Sequence, residues 1–191
     1  MAYHHGDLRA ALLAAAEDAL RTRGPGELSL RELAREVGVS PAAPSRHFRT
    51  KQALLDALAM EGYDRLTAVL GPALTGGSFA DRLNALIRSY VTFVTENVAL
   101  HELMFSRKHD PSAPPELIAA THRLMGLALG VIEDGQRRGE VRAGPALELA
   151  VPLAAVLQGL ADLTSHGGLP DAKAEDALRE TIAFTLRGYA P

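Results

Sequence analysis

Between Ser40 and Lys51 the chain sets three cations, Arg46, Arg49 and Lys51, beside His47 and includes no acid. A guanidinium presents a fork of donors that fits a guanine edge or a phosphate, whereas an ammonium meets phosphate as a point charge. Arg46 is therefore expected to reach a guanine edge or the backbone of a nucleic acid. Lys51 and His47 suit phosphates better, as do the backbone amides around Ser29 and Ser40. Ala42, Ala43 and Ser45 are small, so readout there would rest on close backbone approach and methyl contacts. Three cations this close together also describe a solvated face, and composition alone does not separate the two.

A second set of side chains lies later in the chain: Tyr90, Phe93, His101, Met104, Phe105, His122, Met125 and Gln158. Aromatic and thioether groups make adaptable apolar walls, and His or Gln supplies the few orienting polar groups that a small-molecule cavity needs. The competing reading is plain core for Tyr90, Phe93, Met104, Phe105 and Met125, with His101 and His122 exposed or structurally hydrogen-bonded. No catalytic constellation accompanies them: HExxH, P-loop, GxSxG and dinucleotide fingerprints are all missing from the sequence. His101-Glu102 with His109, and Glu133-Asp134, lack the Glu-x-x-His spacing of a helical metal site. The chain contains no cysteine, which excludes thiolate catalysis, disulfides, Cys-based zinc and iron–sulfur clusters. Neither an enzyme nor a metal or cofactor is expected.

The elements that must position these residues read as helices throughout. Leu8, Leu12, Ala15, Ala19 and Leu20 recur at helical spacing until Gly24-Pro25-Gly26 interrupts them. Ser29 and Glu32 are spaced for a capping box that opens a helix burying Leu30, Leu33, Ala34 and Val37, with Gly38 ending it. Ser40-Pro41 reads as the N-cap and first position of a third short helix, and a fourth runs from Lys51 towards Leu70. Two short helices about a tight turn at Val37-Gly38-Val39, with Ala34 allowing a close crossing and Phe48 closing the unit, have the form of a helix-turn-helix. Gly71-Pro72 and Gly76-Gly77 suggest a boundary. Beyond it, helical patterns cover about 78–96, 98–105, 115–138, 145–165 and 172–187. The expected class is all-α with about nine helices, divided into a three-helix, helix-turn-helix domain over 1–60 and a helical domain over 61–191.

The run Leu28-Ser29-Leu30-Arg31-Glu32-Leu33-Ala34-Arg35-Glu36-Val37-Gly38-Val39-Ser40 resembles the opening of the DNA-binding domain in TetR/AcrR-family regulators. Its continuation, Arg46-His47-Phe48-Arg49-Thr50-Lys51-Gln52-Ala53-Leu54-Leu55, is similar to that family's aromatic-rich segment and following helix. Tyr3-His4-His5-Gly6-Asp7-Leu8 looks like a subset of bacterial members. The resemblance spans about residues 5–65 and implies a homodimeric regulator, usually a repressor, released from operator DNA by a small ligand. It implies a DNA-binding role for the domain over 1–60 and a ligand-binding and dimerisation role for that over 61–191. It also implies DNA contacts from Ser29, Arg31, Ser40, Pro41, Ala42, Ala43, Ser45, Arg46, His47 and Lys51. Pro44 and Ser45 depart from the family, which usually has a bulky apolar residue and an aromatic there. Pro44 disfavours helical geometry at Ala43, and Ser45 forfeits contact surface. Ala154, Gln158 and Gly159 stand where the similar subset tends to carry a Trp and a His-Gly pair, which loosens any transfer of ligand class.

Charge agrees with an aimed reading head. The net charge is -3, which argues against holding nucleic acid by bulk electrostatics. Residues 1–60 carry eight Lys/Arg against seven Asp/Glu, and the remainder twelve against sixteen. No apolar run reaches the roughly 18–20 uncharged residues of a membrane span, and the polar opening shows no signal peptide, so a cytoplasmic protein without membrane contact is expected. Apolar stripes at Val151, Ala155, Leu157 and Ala161, and at Ala174, Ala177, Leu178, Ile182, Thr185 and Leu186, suit a four-helix dimer contact through the last two helices. The rival reading is a helical interaction protein that keeps the helix-turn-helix shape without specific DNA binding.

Overall fold

The computed structural model describes residues 5–168 and 171–191. Tyr3 and His4 of the opening motif lie outside the described residues. Among those described there are eight α-helices and no strand: α1 (His5–Arg23), α2 (Leu30–Glu36), α3 (Lys51–Ala73), α4 (Phe79–Glu96), α5 (Val98–Lys108), α6 (Pro115–Arg137), α7 (Ala146–Ser165) and α8 (Asp171–Tyr189). The expected third helix is instead a single 3₁₀ turn, Pro44–Arg46. Pro44 has no N–H to donate back to the Ser40 carbonyl, which accepts from the Ala43 N–H at 2.9 Å instead. Ala43 itself keeps helical angles (φ -63, ψ -42), so proline shortens the segment rather than distorting the residue before it.

The chain forms two compact units: 1–63 with 98–121, and 64–97 with 122–191. This division differs from a linear cut at residue 60, because α5 and the start of α6 join the N-terminal helices. In the first unit α1 packs on α2, on the 3₁₀ turn and on α5. Leu12, Leu33, Leu54, Leu58 and Met104 are fully buried there. The Tyr63 hydroxyl donates to the Met104 carbonyl at 3.1 Å, fastening α3 to α5. Thr50, which the sequence reading passed over, caps α3 by accepting from the Ala53 N–H at 3.0 Å.

In the second unit α4 packs on α7 and α8, and α7 on α8, around Phe79, Leu83, Ile87, Ile132, Leu153 and Ile182. The capping box expected at Ser29 and Glu32 does not form: Ser29 is the extended N-cap of α2 but makes no side-chain cap bond. A capping box is present at Ser78 and Asp81, opening α4. Buried Arg82 donates to Asp134 at 2.6 Å, and the Phe79 N–H donates to Glu140 at 2.7 Å.

Two helical glycines test how stiff these cores are. A Cβ on Gly135 would sit 2.6 Å from Val141 Cγ2 and 2.9 Å from the Phe79 ring, whereas one on Gly62 would meet the flexible Met104 side chain, its Sδ at 2.6 Å. Gly135→Ala is expected to cost about 1–3 kcal/mol through overpacking. In Gly62→Ala, movement of Met104 and a helix-propensity gain of about 1 kcal/mol should leave stability nearly unchanged. Urea titrations of both variants check the contrast.

Candidate nucleic-acid interface

The turn after α2 is built by backbone geometry that only the local sequence allows. Gly38 takes φ 74, the left-handed region where a Cβ is strained. Its N–H reaches the Arg35 carbonyl at 3.2 Å and the Val39 N–H reaches Ala34 at 2.9 Å, which together make a Schellman motif. Ala34 is fully buried beneath it. The chain then enters the 3₁₀ turn, where Ala43 accepts from Arg46, and Pro44 from both His47 and Phe48. Phe48 is 3% exposed and anchors the turn in the core, with the Arg9 guanidinium 5.5 Å above its ring centre.

These anchors leave Arg46 and Arg49 exposed, along with Ser40, Pro41, Ala42 and Ser45. Ala43 and His47 are half-buried. No helix begins at Ser40-Pro41, so the amide donors expected there as a helix N-terminus are not assembled. Ser45 Oγ donates to the Ala42 carbonyl at 2.7 Å, which leaves it only acceptor capacity towards a ligand. Lys51 Nζ donates to the Gly26 carbonyl at 2.8 Å, tying the start of α3 to the loop between α1 and α2. That bond uses one of three ammonium protons, so Lys51 can hold the loop and still face a phosphate.

Arg31, Glu32, Arg35, Val39 and Pro41 line an open groove of about 380 Å³ beside this turn. Arg35 is a further exposed cation, outside the contacts expected from the sequence. Its signal was available, since Arg31 and Arg35 are four apart and share a helix face. Arg23, by contrast, is engaged with Glu36 at 2.8 Å.

The expected effector residues divide between the units. His101, Met104 and Phe105 belong to the first; Tyr90, Phe93, His122, Met125 and Gln158 belong to the second. Tyr90, Phe93, His101 and Met104 are buried, Gln158 is half-buried, and Phe105, His122 and Met125 are exposed. Burial pushes the Tyr90 hydroxyl up to about 12 and pushes the His101 imidazole below its usual value. Both are therefore neutral hydrogen-bonding groups at neutral pH. The exposed Phe105 ring packs on His109 at 4.6 Å between centres and lies 5.2 Å from Lys108 Nζ.

On α7, Leu147, Val151, Ala155, Gly159 and Leu163 are all exposed and fall at successive fourth positions. They make one continuous apolar ridge with its smallest residues near the middle. By length and composition α7 could cross a membrane, and 28% of its apolar window is buried within the described chain, so the helix is not enclosed by its own unit. Phe184 of α8 is 67% exposed and borders a cavity of about 230 Å³ with Leu149, Pro152, Val156 and Tyr189. The expected stripe is thus corrected in part. Val151 and Ala155 are exposed, but Ala161, Ile182 and Thr185 are buried within the unit. Leu157, Leu178 and Leu186 pack against its own core.

Comparison with known proteins supplies the remaining finding. Residues 12–58 match the profile described as bacterial regulatory proteins, tetR family, and residues 83–187 match the tetracyclin repressor-like C-terminal domain. The HTH-type transcriptional regulator UidR of Escherichia coli K12 is 25% identical over 176 residues, covering 90% of this chain and 85% of its own. A solved protein of unknown function from Rhodococcus sp. RHA1 is 41% identical with a TM-score of 0.91, covering 99% of this chain and 98% of its own. AibR, solved with isovaleryl coenzyme A and operator DNA, shares the fold at a TM-score of 0.68 and 18% identity, over 92% of this chain and 96% of its own.

Proposed function

The chain belongs to the TetR family of DNA-binding transcriptional regulators, and from that premise we propose that it is a cytoplasmic homodimeric repressor, held on a palindromic operator and released by a small hydrophobic molecule. It is a regulator and not an enzyme. The observation that carries the proposal is the set of exposed arginines, Arg31, Arg35, Arg46 and Arg49, gathered around one turn in a chain of net charge -3. Positive charge aimed at one place, with an acidic remainder, favours a specific groove over general coating. Arg46 reads a base edge or an adjacent phosphate; Arg31, Arg35, Arg49 and Lys51 set the register on the backbone. Ser29, Ser40, Pro41, Ala42, Ala43, Ser45 and His47 fill the surface between them.

The α7 ridge supports the dimer. Ridges of fourth-position residues interdigitate when two helices cross, and small residues at the crossing let them approach closely. A second copy would cover the ridge by two-fold symmetry and repeat the reading turn for the second half-site. Residues 1–60 then read DNA while 61–191 bind effector and partner. Tyr90, Phe93, His122, Met125 and Gln158 in the second unit, and separately His101, Met104 and Phe105 in the first, are the proposed effector contacts, each set taken within its own unit. AibR, whose structure holds an acyl coenzyme A, makes acyl thioesters sensible first probes of that class.

Electrophoretic mobility shift with DNA flanking its own gene tests the reading. Retention of one fragment at submicromolar protein is expected, and Arg46→Ala should weaken it by about 1–3 kcal/mol. Failure of every fragment to shift at low salt and micromolar protein would overturn it.

A further inference from the structure

Arg107, like Arg82, is a buried cation that lies outside the reading turn, the effector residues and the α7 ridge. It stands in the last turn of α5, and its side chain is 7% exposed. Its Nε donates to Asp56 Oδ1 of α3 at 2.7 Å and its Nη1 donates to Asp110. Gln52, one turn before Asp56 on α3, donates through its Nε2 to the same Asp56 Oδ1 at 3.4 Å. Asp110 is held in turn by the Ser112 hydroxyl and the Ser112 N–H. Those two bonds, followed by Arg107, hold its carboxyl at about 2, so it stays charged across the physiological range.

A buried guanidinium is a poor way to gain stability, since desolvation offsets most of its attraction and an apolar pair of the same volume often serves as well. What the planar fork does provide is orientation, because its donors match their acceptors in only one arrangement. Here the acceptor Asp56, with Gln52 donating to it, occupies the first turns of α3, just after the Thr50 cap and Lys51 with its tie to Gly26. The rotation and axial position of that end of α3 decide where Arg46, Arg49 and Lys51 stand. All of these groups lie within one compact unit.

We propose that Arg107 is a positioning residue for DNA recognition: by holding Asp56 it fixes the start of α3, and so the reading turn, from the end of α5. The inference rests on the regulator reading. It places part of the DNA-recognition apparatus more than fifty residues beyond the helix-turn-helix, on a helix that also carries His101, Met104 and Phe105.

The test compares the wild-type protein, the double variant Asp56→Leu/Arg107→Met and the single variant Arg107→Lys. The double variant fills the volume without a buried charge; the single variant keeps charge but loses the fork. Each is assayed by thermal melting and by mobility shift over a salt series. The double variant should melt cooperatively near the wild-type temperature but bind operator about tenfold more weakly, with an unchanged salt slope because no phosphate contact has been removed. Arg107→Lys should show a smaller loss in the same direction, and it decides the matter if the double variant does not fold. Wild-type affinity in a folded variant would overturn the proposal. So would a salt slope reduced by about one, which would make Arg107 a phosphate contact. A wild-type protein that shifts no DNA would overturn the regulator reading itself, and this inference with it.

Discussion

A chain carrying Val151→Glu together with Phe184→Glu is expected to remain folded, to be monomeric, and to lose at least about a hundredfold in operator affinity. Folding should survive because the two side chains are 60% and 67% exposed, so neither substitution displaces a packed group within the chain. Association should not. In an isologous contact each new carboxylate enters the interface twice, once from each copy. An unpaired carboxylate drawn from water into an apolar contact faces a desolvation cost that the surrounding Leu147, Ala155 and Leu163 cannot offset. A monomer then holds one half-site, and the energy of the second half-site disappears. Sedimentation equilibrium and the mobility shift measure the two consequences separately. A dimer that persists in the double variant would move the interface away from α7 and α8.

The second large effect concerns the anchor of the reading turn. Phe48→Ala is expected to destabilise the protein by about 3–5 kcal/mol, the usual cost of emptying a buried aromatic site. Phe48 is 3% exposed, its N–H donates to the Pro44 carbonyl at 2.8 Å just beyond the 3₁₀ turn, and Arg9 lies over its ring. Removing the ring deprives the turn of its only large buried side chain between Leu33 and Leu54, so DNA binding should fall together with stability. Urea unfolding followed by helical circular dichroism checks the figure. A loss below about 1 kcal/mol would mean that α1 and α2 collapse onto the site and that Phe48 is not the anchor.

Much of the architecture was legible because helices announce their ends locally. Gly38 needed a left-handed angle, Ser78 stood ahead of an apolar period, and Pro115 followed a polar loop; each marked a boundary that the structure keeps. The 3₁₀ turn was not legible as such. Ser40-Pro41 carries a good helix start, but the missing N–H of Pro44 limits what can follow, and that competition is settled by packing of Phe48 and Pro44. Ser29 misled for a related reason: the spacing Ser-x-x-Glu allows a capping box without requiring one, and the side chain makes no such bond. Thr50 was missed because a cap residue is conspicuous only once the helix start is known.

The candidate site shows the same split between local and tertiary information. A run of cations without an acid is visible in one dimension, so Arg46 and Arg49 stood out. Arg107 and Asp56 are fifty-one positions apart, and nothing in either neighbourhood marks them as partners. The α7 ridge was half visible. Helical spacing grouped Val151 with Ala155, yet only the packing of α4 and α8 against the opposite face shows that Leu147, Gly159 and Leu163 continue it while Ala161 turns inward.

Hydroxyl-radical footprinting of DNA flanking the gene tests the central claim most directly. Two reading turns related by a two-fold axis should protect two symmetric patches, separated by about 34–36 Å or a multiple of that helical repeat. Weaker protection at the same positions is expected with Arg46→Ala. Uniform protection along the fragment, or a single patch without a symmetric mate, would contradict an aimed dimeric reading head.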